Sequence, residues 1–115
     1  MSANPANNEL QPLAEIEKLI HEPARLMILA TLHAVESADF LFVERQTGLS
    51  RGNLSSHMSK LETAGYIAIT KEFVGKIPRT LLRITHDGRA ALLTYVKQMQ
   101  QVLDDVKAKN LNAGQ

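Results

Sequence analysis

Residues 48–67 read GLSRGNLSSHMSKLETAGYI, and residues 69–85 continue as ITKEFVGKIPRTLLRIT. Ser50 stands just before Arg51-Gly52-Asn53, where its hydroxyl can accept the unpaired N–H groups of a helix's first turn. Leu54, Met58 and Leu61 then fall at i, i+4 and i+7, and Gly65 stops the pattern. The spacing predicts a helix over residues 50–64 that buries one thin stripe and turns small polar side chains outward. Ahead of it, residues 40–47 read as a short helix closed by Gly48, with Ser37 and Asp39 both placed to cap its start. The two helices around Thr47-Gly48-Leu49-Ser50 make a helix–short turn–helix unit with glycine in the turn.

Behind that unit the period changes from helical to twofold. Ile67 and Ile69 alternate with Ala68 and Thr70, which predicts a strand over residues 66–73. Leu82 and Ile84 alternate in the same way within residues 79–85, and Val74-Gly75-Lys76-Ile77-Pro78 joins the two as a hairpin loop. Thr85 is placed to cap a last helix running to about Lys107, with a polar tail over residues 110–115. Towards the N-terminus, residues 1–8 are polar and expected to fray. Leu10, Leu13, Ile16 and Ile20 recur at helical spacing over residues 9–21, with Pro12 harmless in the first turn. His21-Glu22-Pro23 breaks that helix and lets Pro23 open the next one. Its expected anchors are Leu26, Leu29, Ala30 and either His33 or Leu32, and it ends near Val35.

Composition excludes several classes. The 115 residues suffice for one modest domain, and three Phe, two Tyr and no Trp imply an aliphatic core. The absence of Cys removes disulfides, thiolate metal sites and a Cys nucleophile. No apolar run approaches the ~18 residues of a membrane span, and the start MSANPANNELQ lacks the features of a signal peptide. A cytoplasmic protein without membrane partners is expected. Charge is unevenly divided. Residues 1–50 hold three basic against seven acidic side chains, whereas residues 51–89 hold seven basic against three acidic. Basic charge gathered on the polar helix and the hairpin is the footprint of a polyanion partner. A polar helix face of this kind suits the major groove of double-stranded DNA, which admits one α-helix.

The order helix, helix, turn, helix, hairpin, long helix resembles the winged helix-turn-helix transcriptional regulators of bacteria and archaea, of the MarR-like and ArsR-like kind. The local text is also similar: F-x-x-x-x-T-G-L-S-R-G-N-L-S-S-H-M-S-K-L-E-x-A-G-Y, then K-E-F-V-G-K-I-P-R-T, then I-T-x-x-G-R-x-A, within a resemblance that covers about residues 22–95. It implies a mainly α (α+β) fold with a two-stranded β wing and long terminal dimerisation helices. The implied organisation is a tail 1–8, an N-terminal helix 9–21, a DNA-binding domain 22–89, a dimerisation helix 90–109 and a tail 110–115. The implied recognition helix is 50–64, with Ser50, Arg51, Gly52, Asn53, Ser55, Ser56, Ser59 and Lys60 facing DNA. Arg51 can fork onto guanine, Asn53 can pair with adenine, and the serines suit phosphate or water-mediated contacts. His57 adjoins the buried row and is expected to pack or cap. The hairpin corresponds to the wing, with Lys76, Pro78 and Arg79 at the DNA backbone or minor groove. Strand alternation leaves open which side Lys71 and Arg83 take. Arg89 is expected to tie back to the wing.

A second function is legible in the last helix. Leu92, Val96, Met99, Leu103 and Val106 follow a 4-3-4-3 spacing, a heptad-like seam. A helix over residues 86–107 would be about 33 Å long at ~1.5 Å per residue, longer than so small a body can cover. Together with Leu10, Leu13 and Ile16 of the first helix, the seam is expected to form a twofold homodimer interface. No cofactor is expected. The four histidines are scattered, and no P-loop, G-x-S-x-G or G-x-G-x-x-G occurs, so an enzyme is not expected. His86, Asp104 and Asp105 are the one conceivable metal set. A small-molecule effector between the dimer helices and the DNA-binding lobe is compatible with this organisation, but no residue identifies one. The competing class is a winged-helix module for protein contact alone, which salt-dependent DNA binding would distinguish.

Overall fold

The computed structural model describes residues 17–113, with side chains as far as Lys109. In chain order these form α1 (Pro23–Val35), β1 (Ser37–Asp39), α2 (Phe40–Thr47), α3 (Arg51–Thr63), β2 (Ile67–Val74), β3 (Ile77–Ile84) and α4 (His86–Ala113). The N-terminal helix expected over residues 9–21, with Leu10, Leu13 and Ile16, lies outside the described residues as far as Ile16. Its last part is corrected: residues 17–22 form turns, held by the His21 N–H donating to the Glu17 carbonyl at 2.9 Å. Ile20 is nevertheless fully buried, so this arm is anchored to the body.

Local signals set most of the boundaries. Pro23 opens α1 behind Glu22, whose carboxylate accepts the Arg25 N–H at 2.8 Å. The buried stripe of α1 is Ala24, Ile28, Leu29 and Leu32, rotated from the expected one. Leu26 and His33 are half-buried and Ala30 is exposed. A run this apolar offers several stripes at helical spacing, and packing selects among them. Asp39 caps α2 by accepting the Phe42 N–H at 2.8 Å, which leaves Ser37 to the strand. Gly48 closes α2 in the left-handed region at φ 71°, a conformation that favours glycine. Ser50 caps α3 as expected, its hydroxyl accepting the Asn53 N–H at 3.2 Å.

The sheet has three strands in the order β1-β3-β2: the expected two-stranded wing, β2–β3, is joined at its base by a third strand that was not expected. β1 pairs antiparallel with the base of β3 through Ser37↔Arg83, Ala38↔Leu82 and Asp39↔Leu81. Three residues carry no readable alternation, which is why β1 escaped the sequence pattern. β2 and β3 pair from Ile67↔Ile84 out to Val74↔Ile77, leaving a turn of Gly75 and Lys76 only. The expected five-residue loop is therefore mostly strand, with Pro78 inside β3 opposite Phe73.

Leu54, Met58 and Leu61 of α3 join Leu29 and Leu32 of α1, Val43 of α2, and Leu82 and Ile84 of β3 in one core. Leu92 and Tyr95 bring the start of α4 into it. Thr85 fastens that start: its hydroxyl accepts the Gly88 N–H at 2.9 Å and donates to the Gly65 carbonyl at 2.6 Å. Gly88 packs so closely on the strand entrance that a Cβ there would overlap the Tyr66 carbonyl oxygen. The helix then runs to Ala113, beyond the expected Lys107. Backbone cannot retreat as a side-chain end can, so Gly88→Ala should cost about 1–3 kcal/mol of stability. The measurement is a lower urea midpoint at unchanged slope. Gly52→Ala, whose added methyl meets open space, should leave the midpoint unchanged or raise it.

Candidate nucleic-acid interface

The outward face of α3 is built by subtraction. With Leu54, Met58 and Leu61 turned inward, Arg51, Gly52, Asn53, Ser55, Ser56, Ser59 and Lys60 are all exposed. Ser50 is exposed too, but its hydroxyl is engaged as the cap. Arg51 is held by its neighbours in α2. Its guanidinium lies 5.4 Å from the centroid of the Phe40 ring and 3.9 Å from the Glu44 carboxylate, with the side chain 71% exposed. A stacked guanidinium has fewer conformations to lose on binding.

Between α3 and the wing runs a groove of two adjoining hollows, about 400 and 340 Å³, that share Phe40, Ser55 and Thr80. Lys71 lines it, which settles the side on which that residue lies. Arg83 has the opposite strand parity, sharing the far face with Ala68 and Leu81. Arg79 has acidic neighbours within the chain. It lies 3.7 Å from Glu72, its cross-strand partner, and 4.0 Å from Asp39. Lys76, exposed in the turn, makes no ion pair among the described residues.

Beneath α3 lies a polar support that the sequence did not signal. Arg25 donates from Nε to the Leu19 carbonyl at 2.6 Å and from Nη1 to His57 Nδ1 at 3.1 Å. An arginine only donates, so Nδ1 accepts and the neutral ring carries its proton on Nε2. Glu22 lies 3.9 Å from the same ring. The packed reading of His57 thus has its geometry, while Arg25 was missed because the pair spans 32 residues. Arg89 does not reach the wing. It binds His33 Nδ1 at 2.9 Å and approaches Glu36 at 3.9 Å, tying α4 to the end of α1. The arm is joined similarly, by Tyr66 Oη donating to Glu17 at 2.9 Å and by His21 against Tyr95 Oη at 2.9 Å. Burial pushes both tyrosine hydroxyls above their ordinary pKa, and at Tyr66 the Glu17 carboxylate adds to it.

The described residues contain no group of three or more His, Cys, Asp or Glu side chains able to hold a metal ion. His86 begins α4, and Asp104 and Asp105 lie about 27 Å further along it at ~1.5 Å per residue, so the conceivable set cannot converge. No helix among the described residues is long and apolar enough to cross a membrane.

A family model for a winged helix DNA-binding domain matches residues 24–103, from the start of α1 well into α4. The chain belongs to this family. An uncharacterised protein of Methanocaldococcus jannaschii is 29% identical over 90 residues, covering 78% of this chain and 98% of that one. Among solved structures, the transcriptional regulator homologue from Pyrococcus horikoshii is similar, with a TM-score of 0.77 and 27% identity over 86% of this chain and 97% of that one. A mutant MarR from E. coli, complexed with operator DNA, has a TM-score of 0.65 at 19% identity over 90% of this chain and 69% of that one, a likeness of fold. In this winged-helix protein, α2 and α3 form the helix-turn-helix unit and the β2–β3 hairpin is the wing.

The Glu22 carboxyl is held below its ordinary 4.5, first by the Arg25 N–H it accepts and also by the Arg25 charge and the Ala24 N–H, against an opposing effect of burial. A depressed folded-state pKa contributes stability that is full above the ordinary value and is lost as pH falls through the depressed one. Glu22→Gln should therefore lower the urea midpoint at neutral pH. The gap to the unsubstituted protein should close as the pH is taken below 4.5.

Proposed function

We propose that this winged-helix protein is a sequence-specific transcriptional regulator that binds double-stranded DNA as a homodimer. Residues 50–64 enter the major groove, and the wing, residues 73–80, lies on the backbone or in the minor groove. The observation that carries this reading is the uninterrupted polar face of α3, set beside a basic hairpin in a family of DNA-binding domains. The complex of the similarly folded E. coli MarR with operator DNA supports it. Arg51 and Asn53 read bases, Ser55, Ser56 and Ser59 make phosphate or water-mediated contacts, and Lys60 and Lys76 meet phosphates. Ser50 serves chiefly by capping the helix that presents them.

The dimer reading rests on α4. Val96, Leu103 and Val106 are each at least half exposed and Met99 is half-buried, a surplus that a second copy would cover. Leu92, at 4% exposure, packs in its own core instead, so the seam begins at Val96. Val96→Glu with Leu103→Glu should leave a folded monomer with much weaker operator binding. Light scattering of the unsubstituted protein at micromolar concentration, giving only single-chain particles, would refute the dimer.

Separate duties make the DNA reading testable. Arg51→Ala or Asn53→Ala should cost ~1–3 kcal/mol on the best site and relax preference at one base pair per half-site. Lys76→Ala should weaken specific and random duplexes alike, and flatten the salt dependence by about one unit of slope per contact in each subunit. Arg79→Ala should change the slope less, because Glu72 and Asp39 already engage that charge. A genomic pull-down supplies the duplexes for these titrations. Failure to bind any duplex at low salt would replace the regulator by a protein-contact module.

A further inference from the structure

The far end of the wing is apolar. Phe73 is 72% exposed, Ile77 70% and Val74 53%. The register sets Phe73 against Pro78 and Val74 against Ile77, closed by the Gly75-Lys76 turn. Strand alternation places Phe73 and Pro78 on the face that continues from Ile69, Lys71 and Thr80 towards α3, with Val74 and Ile77 on the reverse. The tip is therefore apolar on both sides, with one lysine at its point. None of the four belongs to the core or packs against it, so core packing does not account for them. Single exposed apolar residues are ordinary, but four clustered on a hairpin tip mark a contact surface. A wing that served only as a phosphate clamp would concentrate cations here. Instead Arg79 is turned to Glu72 and Asp39.

We propose that the wing tip is an apolar wedge for the DNA minor groove. Phe73 and Ile77 press on sugars and base edges and kink the duplex, while Lys76 meets the flanking phosphates. This rests on the DNA-binding reading above. Charge and position select DNA as the occupant rather than a second chain. Lys71 and Lys76 flank the tip without ion pairs among the described residues, and the nearby Glu72 and Asp39 are engaged by Arg79. The groove leading from the tip to α3 is lined by Ser55, Ser59, Lys71 and Thr80, all able to donate hydrogen bonds to phosphates, beside apolar Phe40, Met58 and Ile69 and one acid, Glu62. The surplus apolar seam that fits a second copy lies elsewhere, on α4. Apolar side chains inserted at base steps kink DNA by ~20–90°, and the steps that yield most readily are TA and CA/TG. Sequence preference at the wing would then come from deformability, and would resist salt where phosphate contacts do not.

The test uses the full-length protein and a pool of short randomised duplexes carrying a fluorophore at each end. The unsubstituted protein should select TA or CA/TG steps at a fixed distance outside the bases read by α3, and should raise energy transfer between the duplex ends. Phe73→Ser with Ile77→Ser, both at exposed positions, should keep the melting curve and the preference at the α3 bases. The pair should abolish the step preference and the bend, and lower affinity for the selected duplex about tenfold or more. A straight duplex with the unsubstituted protein, or an unchanged step preference and bend with the double substitution, overturns the wedge while leaving DNA binding in place. Dissociation of the double variant into single chains, with its bending of bound DNA unchanged, overturns it in favour of a contact between copies. Failure of the unsubstituted protein to retain any duplex at low salt removes the DNA-binding reading and the wedge with it.

Discussion

The whole arrangement depends on burying three side chains of α3. Leu54, Met58 and Leu61 are the only residues of that helix in the core, and each contributes on the order of 1.5–3 kcal/mol. A wider stripe would hold α3 more firmly but would consume the positions that face outward. The thin stripe leaves a polar surface with little apolar grip beneath it, and the deficit is met from the side. Arg25 reaches across from α1 to His57, Ser50 caps the first turn, and Phe40 and Glu44 of α2 engage Arg51. A helix that must present its polar face to a ligand is positioned by its neighbours.

The wing is positioned by the same economy. β1 is only three residues long, yet Asp39 at its end pairs opposite Leu81, caps α2 and approaches Arg79. One residue thereby links the start of the helix-turn-helix unit to the root of the hairpin. At the opposite end of the sheet, Thr85 and the close approach of Gly88 to Tyr66 lock the start of α4 to the entrance of β2. Fixed at its base through β1 and α4, the hairpin projects its last residues clear of the body. Those residues are exposed because no second layer among the described residues covers them.

Arg25, Arg89 and the arm of residues 17–22 form a second set of connections, distinct from the core. Arg25 joins the arm to α3, Arg89 joins α4 to the end of α1, and Tyr66 and Tyr95 hold Glu17 and His21. The chain ahead of α1 is thus bonded to α3, the sheet and the long helix at once. Such a network transmits position only while every member stays hydrogen-bonded.

By itself the sequence determined the features with local causes. Ser50 and Thr85 cap helices through N–H groups three residues away, as does Asp39, one of two candidates the sequence offered, Gly48 and Gly65 supply left-handed turns, and the i, i+4, i+7 spacing of Leu54, Met58 and Leu61 names one buried face. The alternation in β2 and β3 made the hairpin legible, and the basic charge of residues 51–89 was plain from composition alone. Tertiary structure alone decided which stripe of the apolar α1 turned inward, that Ser37 pairs with Arg83 in a third strand, and that Leu92 belongs to the core rather than the seam. It also set the partners of Arg25, Arg79 and Arg89. Caps and periodicities act over one or two helical turns, where covalent geometry dictates distance. Strand pairing, burial of one apolar residue over its neighbour and the choice of an arginine's acceptor depend on segments brought together from tens of residues away, and that choice is made only when the core closes.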